Sequence, residues 1–398
     1  MNCRNEVFTP AVASMQASAI REIFKLIAKD DIISFAAGIP APELFPSKEW
    51  AKITSDMLTN SPTPALIYGV SEGYAPLREI TKQRAKKLGV YNEEIDELVI
   101  TTGAQQAIDL SAKVLLEAGD GVIVEKPSFI GSLNSFRSYG AKLYDVEIED
   151  DGMNLAQVEE HLKNHENIKF IYTIPTFQNP SGTTMSIEKR KTLLELAKKY
   201  NVFILEDNPY GELRFKGETV ATIKSMDTEG RVIYAGTYSK TLAPGLRVGF
   251  VSARKDIVDR FVVVKQVNDV HTPVLNQMMV YEYIKNYDYD AHIEKCAAEY
   301  GKRCELMISE MEKHFPKECK FTRPEGGIFI MCTMPEGVDT KVMLNEAIEH
   351  KVAYVPGNTF MTDIEAPSNI FRLNFSVTTP ESIKKGIKIL GDVLKAHV

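Results

Sequence analysis

From about residue 98 to residue 253, short apolar runs alternate with longer amphipathic ones. This rhythm restricts the fold more than any other feature of the chain. ELVITTG, GVIVEKP, AKLYDVEI, IKFIYTIP, VFILEDN, RVIYAGT and RVGFVSA have the length and composition of strands. AQQAIDLSAKVLLEAGD has helical spacing, with the stripe Ile108, Ser111, Ala112 and Leu115 and a stop at Gly119. SIEKRKTLLELAKKYN is a second helix, opened by Ser186 as N-cap, with Lys189 where a capping box would place Glu. Alternation sustained this long predicts an α/β fold: a mostly parallel, doubly wound sheet of about seven strands with helices on both faces. Ligands of such sheets sit beyond the carboxyl ends of the strands.

The flanks differ. ASAIREIFKLIAK near the N-terminus places Ile20, Ile23, Phe24 and Ile27 at helical spacing, and the prolines of GIPAPELFPS then break any regular element. After residue 285 a long helix-prone stretch, DAHIEKCAAEYGKRCELMISEMEKHF, leads to the short strands GGIFIMCTM and IFRLNFS. A closing helix begins at Pro380. The expected division is an N-terminal segment over 1–46, a large domain over 47–285 and a smaller α+β domain over 286–398. A chain of 398 residues is long enough for it.

The net charge of −7 disfavours a nucleic-acid partner and gives no reason to expect an acidic membrane surface. No apolar run approaches the roughly 20 residues of a membrane helix, and MNCRNEVFTP lacks a signal-peptide core, so a cytoplasmic location is expected. The five cysteines have no paired spacing and read as free thiols, and the seven histidines form no metal-ligand cluster.

Several strand ends carry residues that a plain sheet does not need. Gly103, Ala104 and Gln105 join a strand to a helix start, where backbone N–H groups can face an anion. Phe129 follows the next strand, and Asn179 stands before Pro180, a place for a cis bond. Asp207 closes an apolar strand, with Tyr210 three residues on, and a carboxylate there is costly without a cationic partner. YAGTYSKTLAPGLRVGF sets Lys240 among Thr237 and Ser239 and returns with Arg247. Lys240 can be a solvated turn lysine or a Schiff-base lysine whose neighbours hold a cofactor phosphate. The Walker pattern is excluded because Ser239, not glycine, precedes Lys240. This stretch alone does not decide between the other two.

Taken together, FQNPSG, EDNPYGEL and SKTLAPGLRVGF at these separations resemble the class I/II aminotransferases, pyridoxal-phosphate enzymes of the aspartate-aminotransferase fold (fold type I). The branch nearest in pattern holds 2-aminoadipate, kynurenine and broad-specificity aminotransferases. The likeness runs from SFAAGIPAPELFP through YGVSEGYAPLREI to FRLNFS. It implies catalytic roles for Lys240, which would carry the cofactor and move a proton, and for Asp207, which would keep the pyridine nitrogen protonated. Asn179 and Tyr210 would bond the ring oxygen, and Phe129 would lie on the ring face. Gly103, Ala104, Gln105, Thr237, Ser239 and Arg247 would hold the phosphate. Arg372 would grip the substrate α-carboxylate, with Gly38 and Asn179 beside it. Tyr68 would reach the partner subunit's site in a homodimer with shared sites. Arg21 would pair with a distal substrate carboxylate and swing out for apolar side chains.

The chain departs from the family pattern at Ala104, where Ser is frequent, at Ala37-Gly38, where a glycine pair is usual, and at Phe129, where Tyr is common. The implied reaction moves an amino group from an L-amino acid of 2-aminoadipate, aromatic or branched-chain type to a 2-oxo acid, 2-oxoglutarate being the expected acceptor, by ping-pong half-reactions. A lyase or decarboxylase of the same fold is the alternative. A cofactor-sensing regulator domain is disfavoured, because the resemblance starts within about twenty residues of the N-terminus.

Overall fold

The computed structural model describes residues 7–13 and 32–398. The N-terminal helix expected around Ile20–Ile27, and Arg21 with it, lie outside the described residues. A two-residue strand, β1 (Ile33–Ser34), comes first. Eight strands follow: β2 (Asp96–Thr101), β3 (Gly121–Lys126), β4 (Lys142–Glu149), β5 (Gly152–Met153), β6 (Ile168–Thr173), β7 (Phe203–Asp207), β8 (Val232–Thr237) and β9 (Gly249–Arg254). They form one sheet in the order β2-β9-β8-β7-β6-β3-β4-β5. Neighbours from β8 across to β4 pair in parallel, whereas β9 runs against both β8 and β2. The expected seven strands are all present, and the eighth is the short antiparallel extension β5 on β4.

Alternating side chains divide between the two faces of this sheet, as the two-residue period of a strand requires. Val122 and Val124 point into one core with Phe170, Tyr172 and Leu205. Ile123 points into the other, with Ile171 and Ile204. The helix Ala104–Leu115 covers the first face through Ala107, Ile108, Leu110, Ser111 and Ala112. It ends at Leu115, not at Gly119: Leu116 is already extended, and Gly119 lies in a later turn with φ +95°. Ser186 caps the helix Ile187–Lys199 by accepting a bond from the Lys189 N–H at 3.3 Å.

The remaining strands are β10 (Lys320–Phe321), β11 (Phe329–Thr333), β12 (Val352–Ala353), β13 (Val355–Pro356) and β14 (Ile370–Asn374). Four of them make an antiparallel sheet in the order β10-β11-β14-β13, while β12 pairs in parallel with β1. The long helix Tyr289–His314 and the closing helix Pro380–Lys395 pack on each other over a separate core that includes Met307, Ile330, Leu373 and Leu390. In GIPAPELFPS, Pro42 starts a single 3-10 turn, Pro42–Leu44, where no regular element was expected; a proline suits the first position of such a turn because its missing N–H would have no partner there.

Candidate active site

The C-terminal ends of β7 and β8, the turn after β2 and the loop after β6 converge on one cavity of about 350 Å³. Gly38, Ala104, Gln105, Phe129, Asn179, Asp207, Tyr210, Thr237, Ser239, Lys240, Arg247 and Arg372 all line it. Residues up to 334 positions apart in sequence therefore meet at the place an α/β sheet reserves for ligands. Gly103 sits just behind this lining, and Tyr68 does not reach it: its side chain is 86% exposed, edge-on to His271.

At one end of the cavity is a cradle for an anion. Gly103 caps the helix Ala104–Leu115 with φ +74° and ψ 170° and no side-chain cap, which leaves first-turn N–H groups free to face a ligand. A Cβ on Gly103 would come within 2.5 Å of Arg247 Nη2, so this glycine permits a close approach as well as an unusual backbone. The 3-10 turn Pro244–Leu246 ends at Arg247, which is left-handed (φ 53°, ψ 47°). This brings its guanidinium back to the Thr102 carbonyl (Nη2, 3.1 Å) and to Ser239 Oγ (Nη1, 3.5 Å). Thr237 donates its hydroxyl to Ser239 Oγ at 2.9 Å and accepts the Ser239 N–H at 3.1 Å. Gln105 is held from the side, its Nε2 donating to Gly131 O and Ser135 Oγ.

At the centre stand Lys240 and Asp207. Lys240 is half-buried, and its Nζ donates to the Gly38 carbonyl at 2.6 Å. Burial, then the charges of Arg372 and Arg247, bring its amine down to about 8, against the pull of Asp207. Asp207 is 3% exposed. Its Oδ2 accepts the Tyr172 hydroxyl at 2.8 Å, and its Oδ1 is buried with no hydrogen-bond partner. Burial pushes this carboxyl up to about 7, although Tyr172 and Lys240 pull it down. Burial likewise raises the Tyr210 phenol.

Arg372 lies opposite. It is 2% exposed, inside the small sheet's β14. Its Nη1 donates to Asn179 Oδ1 at 2.9 Å and its Nη2 to the Ala36 carbonyl at 3.1 Å. The guanidinium lies 4.0 Å from the ring centre of Phe329 and 5.1 Å from that of Phe360. Burial brings it down to about 10, still charged at neutral pH. The Asn179–Pro180 bond is cis, as is Lys126–Pro127, which the sequence did not signal.

Three residues that matter to this geometry escaped the sequence reading: Tyr172 on Asp207, and Phe329 and Phe360 on Arg372. Each is an ordinary apolar position in its own segment and acquires a polar neighbour only across the fold. No local signal marks them.

These groups suit pyridoxal phosphate. The lone Asp207 oxygen needs an N–H, the cradle needs a dianion, and the lowered lysine amine suits an aldehyde. The profile described as "Aminotransferase class I and II" matches residues 30–390, and the chain belongs to that family. It is 41% identical to an aromatic-amino-acid aminotransferase of Thermococcus litoralis, over 98% of this chain and 94% of that protein. The solved structure of a multiple substrate aminotransferase from Thermococcus profundus superposes with a TM-score of 0.94 at 38% identity, covering 100% of this chain and 99% of the other. An α-aminoadipate aminotransferase from Thermus thermophilus, complexed with N-(5'-phosphopyridoxyl)-L-leucine, has a TM-score of 0.90 at 37% identity, with 98% of each chain covered. The protein is an aminotransferase of fold type I, and its cofactor is pyridoxal phosphate. Among the described residues no helix is long and apolar enough to cross a membrane.

Proposed function

We propose that this aminotransferase takes amino groups from L-amino acids of aromatic, branched-chain or 2-aminoadipate type and passes them to 2-oxoglutarate in two half-reactions sharing one site. The observation that carries the reading is the buried, unpartnered Oδ1 of Asp207 in the same cavity as Lys240 and Arg372. The named relatives support the donor classes, and so do the apolar walls Ile39, Ile174, Pro209 and Phe329.

When bound, pyridoxal phosphate supplies an aldehyde for an amine and an aromatic ring that withdraws electrons from the bonds to the substrate Cα. Lys240 Nζ holds the cofactor and then takes and returns the Cα proton. Asp207 Oδ1 accepts the ring N–H and keeps it protonated. Asn179 Oδ1 is occupied by Arg372, which leaves its amide N–H and the Tyr210 hydroxyl for the ring oxygen. Phe129, which lines the same cavity, would pack against the ring. The Gly103–Gln105 backbone, Thr237, Ser239 and Arg247 bind the phosphate. Arg372 grips the substrate carboxylate as a planar fork, which lysine could not copy. Large and small units over 47–285 and 286–398, and a cytoplasmic location consistent with the free buried thiols Cys296, Cys304, Cys319 and Cys332, belong to this reading.

A panel of leucine, phenylalanine, 2-aminoadipate and glycine against 2-oxoglutarate, scored by glutamate formed, tests it. We expect the first three to yield glutamate well above glycine. Loss of a carboxyl or side chain from the donor, without glutamate, would favour the lyase alternative.

The active unit in this reading is a homodimer. Leu66, Ile67, Tyr68 and Val70 form an exposed, mostly apolar run, and Tyr68 cannot serve the cavity of its own chain from where it stands. A second copy is the occupant that also gives Tyr68 a site to serve. Mixing Lys240→Ala chains with Tyr68→Ala chains, each inactive or weak alone, should restore activity, because one of the two composite sites is then intact. Verified subunit exchange without recovery would count against shared sites.

A further inference from the structure

One buried carboxyl has no part in these roles. Glu125, next to last in β3, is 3% exposed, and among the described residues no cation pairs with it. Its Oε1 accepts the Thr173 hydroxyl at 2.5 Å and the Ile174 N–H at 3.3 Å. Its Oε2 accepts the same N–H at 3.3 Å and Gln178 Nε2 at 3.0 Å. Burial pushes the carboxyl up to about 7, against the pull of these three donors. Burying a carboxyl for packing alone is costly, and an apolar side chain of similar volume would fill the space at lower cost.

The bonds lead toward the cavity. Gln178 Nε2 donates also to the Pro127 carbonyl at 2.9 Å, and its Oε1 accepts the Ser181 N–H at 2.8 Å. Its amide is thus fixed on both sides, between the loop that carries Phe129 and the loop that carries Asn179. The next residue, Asn179, accepts Arg372 Nη1. We propose that Glu125 is a positioning residue for the substrate carboxylate: through Gln178 it sets Asn179, and Asn179 sets the plane of the Arg372 guanidinium. This rests on the reading of Arg372 as the carboxylate arm.

The test titrates the holoenzyme with α-methylleucine or α-methylphenylalanine, whichever parent is the better donor; neither has a Cα proton to lose, and binding is read from the cofactor absorbance. Glu125→Gln keeps the volume but removes the carboxylate, so Gln178 Nε2 is left with a neutral amide oxygen at best. It should weaken the analogue about tenfold, as loss of one buried charge-assisted bond does, with cofactor affinity changed less than about twofold on the same scale. Gln178→Ala should act in the same direction, and it decides the matter alone if Glu125→Gln does not fold. Arg372→Gln is measured beside them. If it binds the analogue like the parent, the reading of Arg372 falls and this proposal with it. If it loses the analogue while Glu125→Gln and Gln178→Ala do not, only the role of Glu125 is overturned. Parallel losses of analogue affinity, cofactor affinity and Tm would make Glu125 a structural carboxyl and also overturn the proposal.

Discussion

Lys240→Ala is expected to abolish turnover, with a loss above about 10³-fold, because the covalent anchor and the proton carrier vanish together. The variant should keep its fold and still take up pyridoxal phosphate, since the anion cradle and Asp207 remain. Borohydride treatment of the native holoenzyme should fix the pyridoxyl group on the peptide that contains Lys240. Recovery of the label on another lysine would remove the basis of the proposed mechanism. The pH dependence of cofactor capture gives a second check. Only the neutral amine attacks an aldehyde, and burial beside Arg372 and Arg247 brings Lys240 down to about 8. At pH 7 roughly a tenth of such amines are neutral, against a few in ten thousand for an ordinary lysine. The capture rate of the apoprotein should therefore rise with pH and level off above about 8; a midpoint near the ordinary 10.5 would show that the cavity does not tune this amine.

Asp207→Asn is the second large effect. The amide keeps the shape and the Tyr172 bond but not the charge that, in the proposed mechanism, holds the ring nitrogen protonated. Turnover should fall at least about 100-fold, on the scale of losing one preorganised electrostatic group. The same change should make the apoprotein more stable at pH 8. Asp207 titrates near 7 when folded against about 3.8 unfolded, so the folded state holds its proton more tightly. The stability linked to that proton is fully present below about 3.8 and is lost as the pH rises through 7. Asparagine carries no such penalty. Unfolding free energies of the apoprotein should thus favour Asp207→Asn at pH 8, by an amount on the order of a few kcal/mol, and converge toward pH 4. A variant that keeps near-normal turnover would refute the electrostatic role. A stability gap that does not change with pH would refute the buried charge.

What the sequence by itself determined about this protein is its sheet and most of the residues that line one cavity at the strand ends. Short continuous apolar runs can bury both faces only as central strands, so Val122, Ile123 and Val124 announce a covered sheet before any contact is known. The strand ends were legible because they break those runs: a glycine before a helix at Gly103, a carboxylate after an apolar run at Asp207, a lysine among hydroxyls at Lys240. What those residues jointly bind came from family resemblance, since each signal alone has an ordinary explanation. The family was legible in this way, and the geometry was not. The pairing of Tyr172 with Asp207, the enclosure of Arg372 by Phe329 and Phe360, and the path from Glu125 through Gln178 to Asn179 join residues on different strands and loops. The pKa values of Lys240 and Asp207 moved for the same reason. Desolvation and neighbouring charge depend on distances across the fold, which only tertiary structure sets.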